Sequence, residues 1–561
     1  VPLPRYTFSN GEVAATGTTP DQMTTTWKSY AEETYTLENI LRYDKSFKGG
    51  HDLNVMLGYN EYFYKQYEHK EQKKGLIDPS INVPDAATEM LSSTGTAKDE
   101  SLRSVFGRVN YAYMSKYLLE MNLRYDGSSK FRPENRWDFF YGFSGGWRLS
   151  EEEFMKNVKF VNELKLRLSY GVVGNQSGIS RYDGMQLYNF NSVNGAYIGD
   201  GRISYIKTSG EIATMGRSWE RIHNYNLGLD FHLFDSRLQG TVELFMKKNN
   251  NMLIAVAYPG ILGDKAPASN SGKFEAKGYE GTVTWSDKIG KVNYHVGGTF
   301  TYADNKLVDY GGVTVFKSGF VDKQQGYSLN SVFGLKYCGK IQTEEQLRKY
   351  IYKYYNSNGI GMPKDLRLGD NMYEDVNGDG KLDEKDYVYL GSDDPKISYS
   401  FNVGIEWNNF DLSAVFQGTA KRTIFRDESN DNYRIPMRAA HLNSTTQSVG
   451  NVWSPDNRDG RYPTYTNIST INNYNYQCSS WSVENGNYLR LKSLTLGYNF
   501  PASLLSKTKA ISRLRIYVSG ADLWEVSKIN DGWDPEASRK VSGNGRFPFN
   551  RTCTVGLDVT F

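Results

Sequence analysis

Apolar and polar residues alternate with a period of two from Arg103 to Asp126. Val105, Gly107, Val109, Tyr111 and Tyr113 share one face of that pattern, and Phe106, Arg108, Asn110 and Ala112 share the other. After Ser115 and Lys116 the pattern resumes. Tyr117, Leu119, Met121, Leu123 and Tyr125 now oppose Glu120, Asn122, Arg124 and Asp126. This predicts a tight hairpin of two strands, each near the roughly 9 to 11 residues that cross a bilayer at a tilt. The charges fall on one face only. A Lys or Arg facing lipid at mid-membrane costs about 2–4 kcal/mol, whereas one facing a wet interior costs little.

The same alternation predicts strands at Tyr30 to Tyr43, Gly50 to Tyr64, Arg136 to Leu149, around Leu164 to Tyr170, and at 218 to 234 and 237 to 248. Short turns are expected at Lys45 to Gly49, Asp235 and Ser236, Lys288 to Gly290, and Asn408 and Asn409. Long connections are expected at Lys65 to Leu102, Val172 to Arg217, Asn249 to Gly272, Asp304 to Lys396, Lys421 to Gly486 and Asp522 to Asn550. Ser150 to Asn162 reads as a helical turn capped by Ser150 with Glu153, and Thr343 to Tyr355 as a helix with Thr343 and Gln346 as a capping box. An up-and-down transmembrane barrel needs long and short connections to alternate, whereas a sandwich with Greek-key crossings does not. The predicted fold is therefore all-β, a transmembrane antiparallel up-and-down β-barrel with long extracellular loops. About fifteen strands are legible. Single-chain bacterial barrels have an even number, so at least one more is expected upstream of Val1. The last strand places Cys553, Val555, Leu557, Val559 and Phe561 on one face and ends on Phe561, similar to the insertion signal of bacterial outer-membrane proteins.

Composition narrows this reading. The 561 residues contain no apolar run near the roughly 18 that a membrane helix needs, and mean hydropathy is −0.60. That excludes a helical membrane protein but not a barrel, whose lumen and loops are polar. The 42 tyrosines suit the interfacial belts of a membrane protein. A net charge of +3 gives no argument for nucleic acid, and Cys338, Cys478 and Cys553 form no disulfide framework. No signal peptide or targeting segment stands before Val1, which points to a processed chain or the C-terminal portion of a longer one.

The sharpest chemical motif runs from Asp375 to Asp386. Side-chain oxygens fall at Asp375, Asn377, Asp379, Asp383 and Asp386, with Gly380 for the sharp turn and the Lys381 carbonyl as a further ligand. This is the spacing of an EF-hand-type loop for Ca2+, with Asp in place of Glu at the last position. Such an ion would be structural. Gly142-Phe-Ser-Gly-Gly146 matches a nucleophile elbow by pattern, but Ser144 sits inside a strand instead of a strand-to-helix turn. The six histidines form no zinc motif, and no acid, base and nucleophile set stands out, so an enzyme is not expected. Aromatics crowd the long connections: Tyr188, Tyr197 and Tyr205 in one, and Trp453, Tyr462, Tyr465, Tyr474, Tyr476 and Trp481 in another. Flat rings beside amide side chains suit stacking on sugars or gripping peptide backbone, or packing the loops on each other.

The stretches FGRVNYAYMSKYLLEMNLRYDGSSKF, WDFFYGFSGGWRLSEEEFM, LKLRLSYGVVGNQSGISRYDG, YEDVNGDGKLDEKDYVYLGSDDPKISYSF and YLRLKSLTLGYNFP, with the closing strand to Phe561, together resemble the SusC/RagA family of TonB-dependent outer-membrane transporters of Bacteroidetes. The resemblance implies a 22-stranded barrel closed by a plug. It also implies a SusD-like surface lipoprotein over the outer face, energy through TonB, a dimer of such pairs, and import of oligopeptides or oligosaccharides. Residues 1–561 would be the barrel domain, since no TonB box, plug or N-terminal extension is recognisable. The inner face, including Glu120, Asn122, Arg124, Lys165 and Arg167, would then form a hydrated path. The alternative is a secreted or surface β-protein that binds glycan without moving it.

Overall fold

The computed structural model describes residues 7–9, 12–14, 23–76, 78, 80–81, 83–182, 185, 188–198, 201–208, 216–255, 268–310, 319–321, 323–354, 363, 365–425, 448–506, 510–529, 534–537 and 550–561. Fifteen of its strands form one antiparallel sheet in which each strand pairs with its neighbours in chain order. They are β1 (Thr24–Phe47), β2 (His51–Leu76), β3 (Ala87–Tyr113), β4 (Tyr117–Ser128) and β5 (Trp137–Arg148). Next come β6 (Val161–Asn175), β7 (Glu220–Leu233), β8 (Leu238–Ala255), β9 (Ala268–Ile289) and β10 (Val292–Asp309). The sheet ends with β11 (Ile397–Trp407), β12 (Phe410–Ala420), β13 (Tyr488–Asn499), β14 (Arg513–Ser527) and β15 (Thr552–Thr560). This is the up-and-down order expected of a barrel wall.

The predicted hairpin is β3–β4, with Tyr113 opposite Tyr117 and Leu102 opposite Ser128. Its short turn puts Met114 and Ser115 in the left-handed region, as Phe234, Asp235 and Ser236 are at the β7–β8 turn and Asn408 is at β11–β12. Apolar side chains on one face stand in the open: Leu119 is 58 % exposed, Leu168 64 % and Leu244 52 %. Only lipid makes such a surface favourable, and the opposite face is polar. Rings mark both borders of this band. Trp137 and Trp147 lie ten residues apart on the same face of β5. That step rises roughly 33 Å along a strand and about 25 Å along the membrane normal at the usual tilt, the height of an apolar band. Phe160 stacks on Phe234 at 5.8 Å and Phe410 packs tilted against Tyr498 at 4.8 Å near the short turns, and Tyr125 stacks on Trp137 at 5.1 Å near the opposite rim.

Two local expectations are corrected. Lys65 to Leu102 is not one long connection, because β2 runs on to Leu76 and β3 starts at Ala87, with Lys65 opposite Asp99. This part stands above the membrane with water on both faces, so the strands carry polar residues throughout and show no alternation. The Ser150 segment forms two short 3-10 turns, Leu149–Glu151 and Glu153–Met155, flanked by Arg148 and Glu152 with no side-chain cap. By contrast the helix α1 (Glu344–Tyr354) forms where it is read, with half of the expected capping box, since the Gln346 side chain reaches back to the Gln342 amide in place of the Thr343 amide. The Gln346 amide donates to Thr343 Oγ1 at 3.2 Å, and Gln346 Oε1 accepts from the Gln342 amide at 2.8 Å.

The buried core lies in the long connections and where they meet the wall. Leu335, Ile341, Tyr350, Tyr354, Leu366, Tyr373, Leu382 and Tyr474 form one cluster drawn from the β10–β11 and β12–β13 connections. A second joins Phe131, Phe140, Val172, Ile179 and Trp219.

Candidate functional site

Alternation turns every second residue of the strands to the inner face, and there charges pair. Arg124 donates to Asp126 at 2.6 Å and to Ser104 at 2.8 Å, while Asn122 donates to Glu120 at 2.6 Å. Arg167 grips Asp230 with two hydrogen bonds of 2.7 and 3.0 Å, Thr241 donates to the same carboxylate at 3.0 Å, and Glu243 stands 3.6 Å from the guanidinium. Glu120, Lys165 and Arg167 line one concavity of about 710 Å³ with Asp52, Asn54 and Asn226. Small residues line it at the inner positions Ala112, Ser144 and Gly146, and Gly228 lets the Arg167 guanidinium lie across its backbone, where a Cβ would stand 2.8 Å from it. All five inner-face residues named from the sequence therefore lie on polar wall.

A second inner cluster was not anticipated. Arg490 has a fully buried side chain, held by Glu525 and by Asp534 at 2.7 Å, with Glu536 at 3.3 Å. Lys492 reaches Asp522 and Glu536, both at 3.0 Å. Alternation puts both cations on the same side, and a register shift between Leu491 and Ser493, near left-handed Asp522, makes Lys492 the extra residue of the strand against β12. The signal was the run Tyr488-Leu-Arg-Leu-Lys492, which places Arg490 and Lys492 on the face opposite Leu489 and Leu491. Arg422 donates to the Asp393 carbonyl at 2.8 Å and also to the Pro535 carbonyl. Residues 534–537 are thus fastened to wall and loop alike.

The outer loops form a folded body. Ser331–Gly334 pairs with both Gly319–Val321 and Val388–Ser392, and Tyr337–Lys340 pairs with Asn371–Tyr373. Helix α2 (Ser469–Asn475) closes over them. Asn475 is its clasp: Oδ1 accepts from the Asn371 amide at 2.8 Å, and Nδ2 donates to Asp370 at 2.8 Å. The Tyr373 hydroxyl donates to the Tyr474 and Asn475 carbonyls, each at 3.0 Å. Burial pushes the Tyr350, Tyr373 and Tyr474 hydroxyls far up, and it also raises the Asp370 carboxyl against the pull of Asn475 and the Arg367 amide.

This body decides where the candidate aromatics sit. Trp453 and Tyr462 are buried in it, with the Trp453 indole donating to Gln342 at 2.9 Å, so both pack the loops together and present no face for stacking. Tyr474 is likewise interior. Tyr465 is 39 % exposed, and Trp481, half-buried edge-on to Tyr462 and Tyr476, donates to the Arg461 carbonyl at 3.3 Å. Tyr188, Tyr197 and Tyr205 lie on a two-stranded ribbon, 188–198 with 201–208, whose side chains fall outside the described residues.

In the Asp375 to Asp386 loop, Gly378 and Gly380 adopt the left-handed backbone an EF-hand-type turn requires. Asp375 accepts from the Gly378 amide at 2.7 Å and the Gly380 amide at 3.0 Å, and Asp386 from the Val376 and Asp383 amides, both at 2.9 Å. These bonds turn both carboxylates into the loop, and Lys353 stands 3.5 Å from Asp375. The donor set fits a hard cation by chemistry and turn geometry. Yet among the described residues no three acidic, His or Cys side chains close into a ligand group.

The TonB-dependent receptor-like β-barrel family model matches residues 4–362. TonB-dependent receptor P3 of Formosa agariphila is 30 % identical over 95 % of this chain and 53 % of its own length. TonB-dependent receptor SusC of Bacteroides thetaiotaomicron is 25 % identical over 93 % of this chain and 49 % of its own. The chain spans about half the length of the curated relatives it matches. Among solved structures, the RagAB peptide transporter superposes with a TM-score of 0.78 at 23 % identity, covering 96 % of this chain and 56 % of that one.

Proposed function

Because this chain belongs to the TonB-dependent receptor β-barrels of the outer membrane, in their SusC/RagA branch, we propose that it forms the wall and outer loops of an active importer of oligomeric nutrients. The family is one of receptors and transporters, not of enzymes, and its outer-membrane location argues against the secreted form of the alternative, a β-protein that binds glycan without moving it. The observation that carries the proposal is the division of the wall. Leu119 and Leu168 stand exposed on the outer side of the alternation, while Glu120, Lys165 and Arg167 bring charge to a concave inner surface. A wall of that kind lets a hydrated solute pass while lipid closes the outside. Oligopeptides or oligosaccharides fit a surface of paired charges, amides and small residues, since such solutes bring many hydrogen-bonding groups and little apolar area.

The partners follow from the same reading. A SusD-like lipoprotein would rest on the outer loops, TonB would supply energy, and two such pairs would join as a dimer. Tyr465 and Trp481, with Tyr188, Tyr197 and Tyr205, are the rings proposed to meet ligand or lid. We further propose that Ca2+ binds Asp375, Asn377, Asp379, the Lys381 carbonyl, Asp383 and Asp386 and stiffens that loop, with no part in transport chemistry.

The test is native mass spectrometry, with proteomics, of the full protein extracted from its own outer membrane in mild detergent. A co-purifying lipoprotein together with released short peptides or glycans supports the importer and names its substrate class. A protein that emerges alone and empty overturns it.

A further inference from the structure

Among the described strands, one stretch of the lipid-facing surface carries more positive charge than its carboxylates neutralise. On β9, Lys277 lies eight residues from Trp285, on the same face. Trp285 neighbours Phe234 at 6.2 Å in the belt near the short turns. Eight residues of tilted strand rise about 20 Å, which brings Lys277 to the outer border of the apolar band. Rings line that border, where Tyr279 stacks on Tyr302 at 5.3 Å and on Phe300 at 5.9 Å.

Above the rings is a patch rich in lysine. Lys277 sits opposite Asp304, and Lys306 opposite Glu275. The carboxylates are engaged elsewhere: Asp304 by Lys396 at 2.8 Å, Glu275 by Lys248 at 3.5 Å, and Asp309 by Lys273 at 3.5 Å. Lys277 and Lys306 are exposed and, among the described residues, have no ion-pair partner. Lys421 adds a further ammonium 5.5 Å from the Tyr302 ring. Among the described residues of the patch, three carboxylates thus face six lysines. At the same height on β1–β3 the charges balance, since Arg103 pairs with Glu61 at 2.9 Å and Lys65 lies between Glu33 and Asp99.

We propose that this outward face of β8–β12 is a binding site for the phosphorylated headgroup of the outer-leaflet glycolipid, lipid A. The outer leaflet supplies phosphate at that depth, and unpaired ammonium groups above an aromatic belt are what would take it, with acyl chains lying on Tyr279 and Tyr302. The occupant is lipid and not free anion, because the patch faces the bilayer and rests on apolar wall. Lys277 and Lys306 hold the phosphate, and Lys421 closes one side.

The test titrates the full-length protein in mild detergent with diphosphorylated lipid A, dephosphorylated lipid A and inorganic phosphate, and counts bound species by native mass spectrometry. Diphosphorylated lipid A should bind, dephosphorylated lipid A should bind weakly, and inorganic phosphate should not displace the lipid. Lys277→Gln with Lys306→Gln should weaken binding roughly thirtyfold, about fivefold for each lysine. Lys65→Gln on β2 should leave it unchanged. Heat-modifiable gel mobility checks that each variant is a folded barrel, and any that fails is replaced by the single substitution Lys306→Gln. Equal affinity in folded wild type and variant, no preference for the phosphorylated lipid, or full displacement by inorganic phosphate overturns the proposal.

Discussion

The Tyr350 hydroxyl lies 2.7 Å from the Tyr474 hydroxyl, across 124 residues of chain, and the same Tyr350 oxygen accepts the Tyr373 amide at 2.8 Å. These two contacts and the Asn475 clasp join two outer connections into one body. Asn475→Ala would leave the Asn371 amide and Asp370 Oδ1 without their partner in a dry interior, at about 1–3 kcal/mol for each. Hydrogen exchange should rise together in 366–373 and 469–476, while the strands β3 to β6 stay protected. Exchange confined to one of the two connections would show that they fold separately.

Asp370 gives this body a pH dependence of defined sign. Burial raises its carboxyl in the folded state, so the folded body holds that proton more tightly than the unfolded chain. The contribution is fully present below the unfolded pKa and is lost as pH rises through the raised folded value. Protection factors in 366–373, corrected for intrinsic exchange, should therefore increase as pH falls from neutral towards about 4. The trend should flatten in Asp370→Asn. Protection that instead grows with pH would contradict the assignment.

Arg490 is fully buried among three carboxylates, and removing one partner from such a group strands the rest. Arg490→Ala should cost about 3–5 kcal/mol, read as a lower urea midpoint in detergent, and should open 534–537 to protease. Lys492→Ala should cost less, because its side chain is 28 % exposed.

The two faces of β4 predict opposite tolerance. Leu123→Arg puts a charge into lipid near mid-membrane at about 2–4 kcal/mol, whereas Asn122→Arg faces the wet interior and should be close to neutral. Folded yield in outer membranes, followed by heat-modifiable mobility, separates them. Equal losses would mean that the faces are assigned wrongly.

For the Asp375 loop, Ca2+ should raise the thermal midpoint of the loop body and a chelator should reverse the rise. Asp375→Asn with Asp379→Asn should abolish the response without altering the barrel. An unchanged midpoint on adding Ca2+ would remove the metal from this site.

The barrel wall was legible because water and lipid write opposite demands on successive residues, as Leu119 and Glu120 show. Where both faces meet water, that signal vanishes, and the upper halves of β2 and β3 passed for a loop. In the outer body the core is assembled from Trp453, Tyr462 and Tyr474, which carry no period at all. Burial there depends on contacts such as Trp453 to Gln342, set by the packing of distant segments. Arg490 was visible as a charge in a strand, but its partners Asp534 and Glu536 come from a connection no pattern could align.

The spacing of Trp137 and Trp147 has a consequence for the protein's neighbours. Rings fixed at two heights on a stiff wall act as a gauge, and the surrounding leaflets must stretch or thin to meet it. Barrels with the same gauge share a collar of lipid at no added strain, while taller or shorter ones do not. Lateral company in the membrane is thus selected by two indole rings on one strand.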